Sequence, residues 1–243
     1  MGTVGIGVFG GTFNPIHHGH LRMVRNVQSL FELSRVYFVV SATPPHKRSE
    51  DITPFAHRYA MVSLATAKEI SLVPSMVELE PEASPYTIDT MVKMKCAFEK
   101  SVKNPDGKTG ERNAARFFFI AGSDSLLEVA GWHESERLLN EYNFIFVTRP
   151  WASPIEVGKC LPENALARVR DLTGLDRKQV RSRIAAEPVR ESRIFIVDVQ
   201  APDISATRIR ELAAAKGGDL ALRRMVPPAA RDYIRKLHLY GGK

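Results

Sequence analysis

The sequence predicts a doubly wound α/β fold: a mostly parallel sheet with helices on both faces and further helices at the C-terminal end. Apolar, β-rich runs at Val4–Phe9, Val36–Val40, Arg116–Ala121, Phe144–Thr148 and Ile194–Val199 alternate with helical periodicity at His20–Phe31, Phe55–Lys68, Ile88–Lys100 and Ser135–Asn140. The strand runs are continuous Val, Ile and Phe instead of alternating apolar and polar, the pattern of strands covered on both faces. With right-handed crossovers, ligands gather at the carboxyl ends of such strands.

The first strand leads straight into GGTFNPIHHGH, residues 10–20, which combines a glycine pair with three histidines at the expected start of a helix. Strand-to-helix turns of this kind place free backbone N–H groups where an anion can meet them. A short strand is expected within Leu72–Leu79. Two polar, turn-rich stretches, Ser101–Ala115 and Trp151–Arg193, read as insertions at 101–115 and about 151–193; the second also holds a helix near Leu175–Ala186. The C-terminal part gives two helices, Thr207–Ala215 and Pro228–Leu237, the latter with proline in its first turn. No repeat or linker divides the chain, so residues 1–243 are expected to form one domain.

With 44% hydrophobic residues in 243, the chain can bury a core. The N-terminal residues lack the pattern of a secretion signal and no run approaches a membrane span, so a soluble cytoplasmic protein is expected. Cys96 and Cys160 form no CxxC pair and support neither a disulfide framework nor a zinc site. A net charge of +7 suits either nucleic acid or phosphorylated small molecules. Charge alone does not choose between them.

Gly5, Gly7 and Gly10 match GxGxxG, yet the first two sit inside the strand, and Val40 and Ser41 stand where a dinucleotide site needs an acidic residue. Gly107, Lys108 and Thr109 resemble the end of a P-loop but follow no strand. His17 and His20 suit polyphosphate better than a metal, because local sequence offers no further ligand. ISATRIR, Ile204–Arg210, opens a helix with Ser205 as a plausible N-cap and Thr207 in its first turn. Two phosphate-suited helix starts therefore lie near the two ends of the chain.

GGTFNPIHHGHL followed by ISATRIR resembles the nucleotidyltransferase superfamily with HxGH and ISSTxxR motifs. The segments TPPHK (43–47), HRYAM (57–61), YTIDT (86–90), GSD (122–124), Trp132 and the tail VPPAARDYIRKLHLY narrow the resemblance to bacterial nicotinate mononucleotide adenylyltransferase. It spans about Val4 to Tyr240 and implies a Rossmann-like nucleotidyltransferase sheet.

The resemblance implies joining of ATP and nicotinate mononucleotide to give nicotinate adenine dinucleotide and pyrophosphate, in NAD biosynthesis. It implies that His17, His20, Lys47 and Arg210 serve catalysis, and that Gly10, Gly11, Thr12, Phe13, Asp124, Ser205 and Thr207 join His17, His20 and Arg210 in binding ATP. Thr12, Asn14, Lys47, Tyr86, Thr87 and Trp132 would bind the mononucleotide. Asp89 would orient the YTIDT turn, and Arg208 is a further candidate beside the phosphates. Mg²⁺ would arrive on the ATP phosphates, with no protein-held metal. The partners implied are the two nucleotides, with no stable nucleic acid and no membrane; a homo-oligomer is compatible with the sequence. Ala206 stands where the motif has a second serine, and Trp151 where a glycine often follows Arg-Pro. Two alternatives stay open: an adenylyltransferase preferring nicotinamide mononucleotide or another phosphate acceptor, and a basic nucleic-acid-binding module built on Arg168–Arg193. An aminoacyl-tRNA synthetase is disfavoured by length and the lack of a KMSKS-like loop.

Overall fold

The structure is a computed structural model that describes residues 4–43, 52–80, 82–101, 115–148, 160–188, 191–215 and 218–241. Its strands are β1 (Val4–Gly11), β2 (Arg35–Val40), β3 (Leu72–Ser75), β4 (Ala115–Gly122), β5 (Asn143–Thr148), β6 (Val169–Asp171) and β7 (Ile194–Asp198). They form one sheet in the order β3-β2-β1-β4-β5-β7-β6. Every pairing is parallel. From β1 the chain winds toward β3 on one side and from β4 toward β6 on the other, so winding reverses between β1 and β4, which pair through Phe9 and Ile120. A crevice opens at such a switch point.

The helices are α1 (His18–Leu30), α2 (Phe55–Thr66), α3 (Thr87–Ser101), α4 (Ser123–Glu128), α5 (Ser135–Glu141), α6 (Glu163–Leu166), α7 (Arg177–Ala185), α8 (Ala206–Ala214), α9 (Asp219–Met225) and α10 (Pro228–Lys236). Alternate strand residues feed two cores. Phe9, Phe38, Ile120, Ile145 and Phe195 pack with α1, α2 and the C-terminal helices, whereas Val8, Phe119, Phe144, Phe146 and Ile196 pack with α3, α4 and α5. Burial on both faces explains the unbroken apolar runs. A fully buried Phe such as Phe144 or Phe195 contributes about 2–3 kcal/mol of transfer free energy. Gly7 lies inside β1, and a Cβ there would meet Ile120 Cδ1 at 2.9 Å, so it serves strand packing and not a dinucleotide turn.

The expected strands and long helices are present with small boundary shifts, and three departures are informative. α1 begins two residues before the expected His20, because His17, outside the usual set of capping residues, takes the N-cap position. Within 160–188 the stretch read as an insertion supplies α6, α7 and the edge strand β6, whose sequence VRD carries two charges in three residues and no apolar run. Such an edge tolerates charge. α4 and α9 are too short to show a period.

At the amino edge of the sheet, opposite the crevice, arginines converge. Arg193 and Arg170 both pair with Glu187, Arg193 also pairs with Glu191 at 2.7 Å, and Arg116 shares Asn143 with the Arg193 backbone. Burial, then repulsion from Arg193, lowers the pKa of Arg116 and of Arg168. From α7, Arg177 and Arg181 both bond to Ser29 of α1, and Arg181 pairs with Glu32 at 3.3 Å. With Arg168 donating to Ser192 Oγ at 2.9 Å, five arginines of the 168–193 stretch are engaged with the protein itself. Among the described residues, no helix is long and apolar enough to cross a membrane.

Candidate active site

The carboxyl end of β1 turns sharply into α1, with Phe13 in the left-handed region at φ 47°. His17 closes that turn by a reciprocal cap: its Nδ1 accepts from the His20 backbone N–H at 3.3 Å, and His20 Nδ1 accepts from the His17 N–H at 3.3 Å. The two rings stack 3.5 Å apart, and His20 leans edge-on against Phe13 at 5.3 Å. Since each Nδ1 accepts, each ring carries its proton on Nε2, the tautomer able to donate to a phosphate oxygen. A Cβ on Gly19 would meet His17 Nδ1 at 2.9 Å and the Pro202 carbonyl oxygen at 3.2 Å. Glycine is needed there for the stacked pair and for the close approach of the chain beyond β7.

The two motifs far apart in sequence meet here. Arg210 of α8 donates to the Asn14 carbonyl oxygen at 2.9 Å and to Thr207 Oγ1 at 3.3 Å. Ser205 is the N-cap of α8 and accepts from the Arg208 N–H at 3.4 Å, so Thr207 is exposed in the first turn, where backbone N–H groups lack helical partners. Arg208 pairs instead with Glu211 at 3.1 Å on the helix surface. Asn14 is buried, and its side-chain oxygen accepts from Tyr240 at 3.0 Å and from the Thr53 N–H at 3.4 Å. The tail thereby folds back onto the turn. Burial pushes the Tyr240 phenol up to about 12, which keeps it a donor at neutral pH.

Beside this turn lies a cavity of about 700 Å³ at the carboxyl ends of β1 and β4. Gly10, Gly11 and Thr12 line it, as do Tyr86, Thr87 and Trp132. Trp132 packs edge-on against Phe119 at 5.8 Å, so one ring serves both core and cavity. Tyr86 stacks on His133 with centroids 4.1 Å apart at the cavity wall. Asp89 accepts from the Ser84 hydroxyl, which also accepts from the Tyr86 N–H at 3.3 Å, so Asp89 orients the turn before α3.

Most of the expected residues therefore converge, with two exceptions. Asp124 is exposed in the first turn of α4, where Gly122 is the N-cap, and the cavity wall there is Gly122, Ser125 and Glu128. Lys47 lies outside the described residues. Sequence reasoning assigned no part to Glu78, Ser41, Glu128 or His133, all of which line the cavity. Arg58 was visible only as a letter in HRYAM, although its period on α2, alongside buried Met61 and Val62, marked an inward position. Among the described residues, no three His, Cys, Asp or Glu are grouped to hold a metal ion.

The cytidylyltransferase-like family model matches residues 8–212. A curated protein of Thermoanaerobacter sp. (strain X514), described as a probable nicotinate-nucleotide adenylyltransferase, is 32% identical over 97% of this chain and 93% of its own length. One from Geobacter metallireducens with the same description is 33% identical over 96% and 97%. Among solved structures, Plasmodium falciparum nicotinic acid mononucleotide adenylyltransferase complexed with NaAD superposes with a TM-score of 0.65 at 18% identity, covering 98% of this chain and 97% of that one.

Proposed function

The chain belongs to the cytidylyltransferase-like family and, within it, to the nicotinate-nucleotide adenylyltransferases, and we propose that it joins ATP and nicotinate mononucleotide. A phosphate oxygen of the mononucleotide attacks the α-phosphorus of ATP, the bond from that phosphorus to the bridging oxygen of the β-phosphate breaks, and pyrophosphate leaves. The products are nicotinate adenine dinucleotide and pyrophosphate.

The observation that carries this reading is the contact of Arg210 with Asn14, which brings the HxGH-type turn and the start of α8 together near the cavity lined by Gly10, Gly11 and Thr12. In-line phosphoryl chemistry needs positioning and charge neutralisation more than a covalent partner. His17 and His20 donate through Nε2 to ATP phosphates, with His20 at the reacting phosphorus. Thr207, Arg210 and the N–H groups that Ser205 leaves open hold the β- and γ-phosphates. Gly10, Gly11, Thr12 and Phe13 follow the nucleotide with their backbone, Lys47 neutralises the phosphates between the substrates, and Asp124, exposed in the first turn of α4 and outside the cavity wall, would meet the ribose only from the rim. Mg²⁺ carried on the ATP phosphates would supply further charge neutralisation there, with no residue of this chain assigned to hold it.

In the cavity, Trp132 and Tyr86 offer aromatic faces to the pyridine ring. Thr87 is the first residue of α3, whose positive end favours a carboxylate there over an amide. Asn14 acts by holding the turn. The same reading makes the protein one cytoplasmic nucleotidyltransferase domain. It disfavours the nucleic-acid module, since Arg168, Arg170, Arg177, Arg181 and Arg193 have partners within the protein.

The test supplies ATP and Mg²⁺ with the acid or the amide mononucleotide and measures dinucleotide and pyrophosphate together. One pyrophosphate per dinucleotide, with the acid preferred, is expected. Absence of product from both would refute the assignment.

A further inference from the structure

Arg58 is 1% exposed, yet its guanidinium has no carboxylate within ion-pair distance among the described residues. Backbone carbonyls surround it instead. Its Nη1 donates to Thr12 at 2.8 Å and to Ser41 at 2.7 Å, its Nε to Thr53 at 2.8 Å, and its Nη2 reaches Ala42 at 3.5 Å. The fixed fork of donors spans three separate segments, which a single ammonium could not do.

Glu78 meets one of those segments by its amide side. It accepts from the Ala42 N–H at 2.9 Å, from the Ser41 hydroxyl and, at 3.5 Å, from the Thr90 hydroxyl of α3. Its carboxyl lines the cavity, as do Ser41, Thr90 and Thr12. Residues 41–42 are thus held through their carbonyls by a buried cation and through an N–H by a half-buried anion. Nothing about packing alone calls for this arrangement, because desolvating two charges outside direct contact is unfavourable.

We infer that Arg58 and Glu78 are positioning residues for adenylyl transfer: together they lock the Thr12 and Ser41–Ala42 backbone that forms the wall between the phosphate turn and the pyridine-side cavity. The inference rests on the adenylyltransferase reading above. Ionised Glu78 accepts through both carboxylate oxygens, whereas the protonated acid keeps one good acceptor and holds only part of the wall. Burial pushes its carboxyl up from the usual range, against the bonds from Ala42, Ser41 and Thr90 and the charge of Arg58. Tyr240 faces Arg58 from the tail, and Asp89, elsewhere on α3, is bonded to Ser84. As pH falls through the raised Glu78 value, the lock opens and turnover declines.

The experiment compares wild type, Glu78→Gln, Arg58→Lys and Arg58→Gln for kcat and KM with ATP and nicotinate mononucleotide from pH 5 to 9, with thermal unfolding alongside. In Glu78→Gln the amide nitrogen cannot accept, so kcat should fall roughly tenfold in a folded protein and the acidic limb of the wild-type kcat/KM profile should disappear. Folded Arg58→Gln should lose about 10²-fold in kcat, since misplacement of about 1 Å has that effect, and Arg58→Lys should not restore it. If Arg58→Gln fails to fold, Glu78→Gln, which keeps the side-chain shape, decides. Wild-type turnover with an unchanged Glu78→Gln profile overturns the inference alone. No turnover by wild type overturns the adenylyltransferase reading and the inference with it.

Discussion

The two edges of the sheet carry charge in opposite ways. At the amino edge, Arg193 and Glu187 have side chains 7% and 13% exposed, and their charges are satisfied within the protein. At the carboxyl edge, Thr207 and Tyr86 are exposed, the turn holding His17 and His20 is bent by a left-handed Phe13, and a cavity of about 700 Å³ adjoins them. Polar groups at the amino edge close on one another, whereas at the carboxyl edge the internal bonds of His17, His20, Arg210 and Asn14 shape a turn beside open volume. The first arrangement holds strands β4 to β7 in register, and the second is free to receive a ligand.

Substitutions should separate the two edges. The largest effect is expected from His20→Ala, with kcat down about 10²- to 10³-fold as for loss of one donor to a developing charge. Its stability should fall only by about 1 kcal/mol, the value of the reciprocal cap. Glu187→Gln should do the reverse, losing about 1–3 kcal/mol of unfolding free energy by leaving half-buried Arg170 without its anion and buried Arg193 with only the exposed Glu191. Its kcat per folded molecule should be unchanged.

The pH dependence of stability sharpens this contrast. Burial alone would raise the Glu187 carboxyl, but hydrogen bonds from Arg170 and Arg193 and their charges bring it below the ordinary value. A depressed carboxyl contributes stability above its unfolded value of about 4.3 and loses it as pH falls through the lower folded value. Denaturant unfolding between pH 6 and 3 should show that loss in wild type and less of it in Glu187→Gln.

Smaller effects should follow within the carboxyl edge itself. Trp132→Ala should raise the mononucleotide KM about tenfold while kcat changes little, because a stacked ring contributes about 0.5–1.5 kcal/mol. Ser205→Ala should remove the α8 cap for about 1 kcal/mol of stability and weaken ATP binding less than Arg210→Ala does; calorimetric titration with ATP checks both.

The carboxyl edge was largely legible in the sequence, and the amino edge was not. GGTFNPIHHGH and ISATRIR announce helix starts by residue type, and apolar runs locate β1, β4, β5 and β7, so the place where they meet follows from parallel topology. Sequence order does not reveal that Arg58 would turn inward onto carbonyls 5 to 46 residues away, or that Glu78 would cross to Ala42, since such pairings depend on tertiary approach. The arginines of 168–193 read as a basic surface because their acidic partner, Glu187, gives no periodic signal. β6 escaped for the same reason, being defined by its neighbour β7 and not by its own residues.

The most direct test measures kcat and melting temperature side by side for His20→Ala and Glu187→Gln. The division of labour between the edges predicts a crossed result: His20→Ala nearly inactive with a melting temperature close to wild type, and Glu187→Gln active per folded molecule but melting markedly lower. Near-normal turnover in folded His20→Ala, or a Glu187→Gln protein of unchanged stability and reduced kcat, would contradict it.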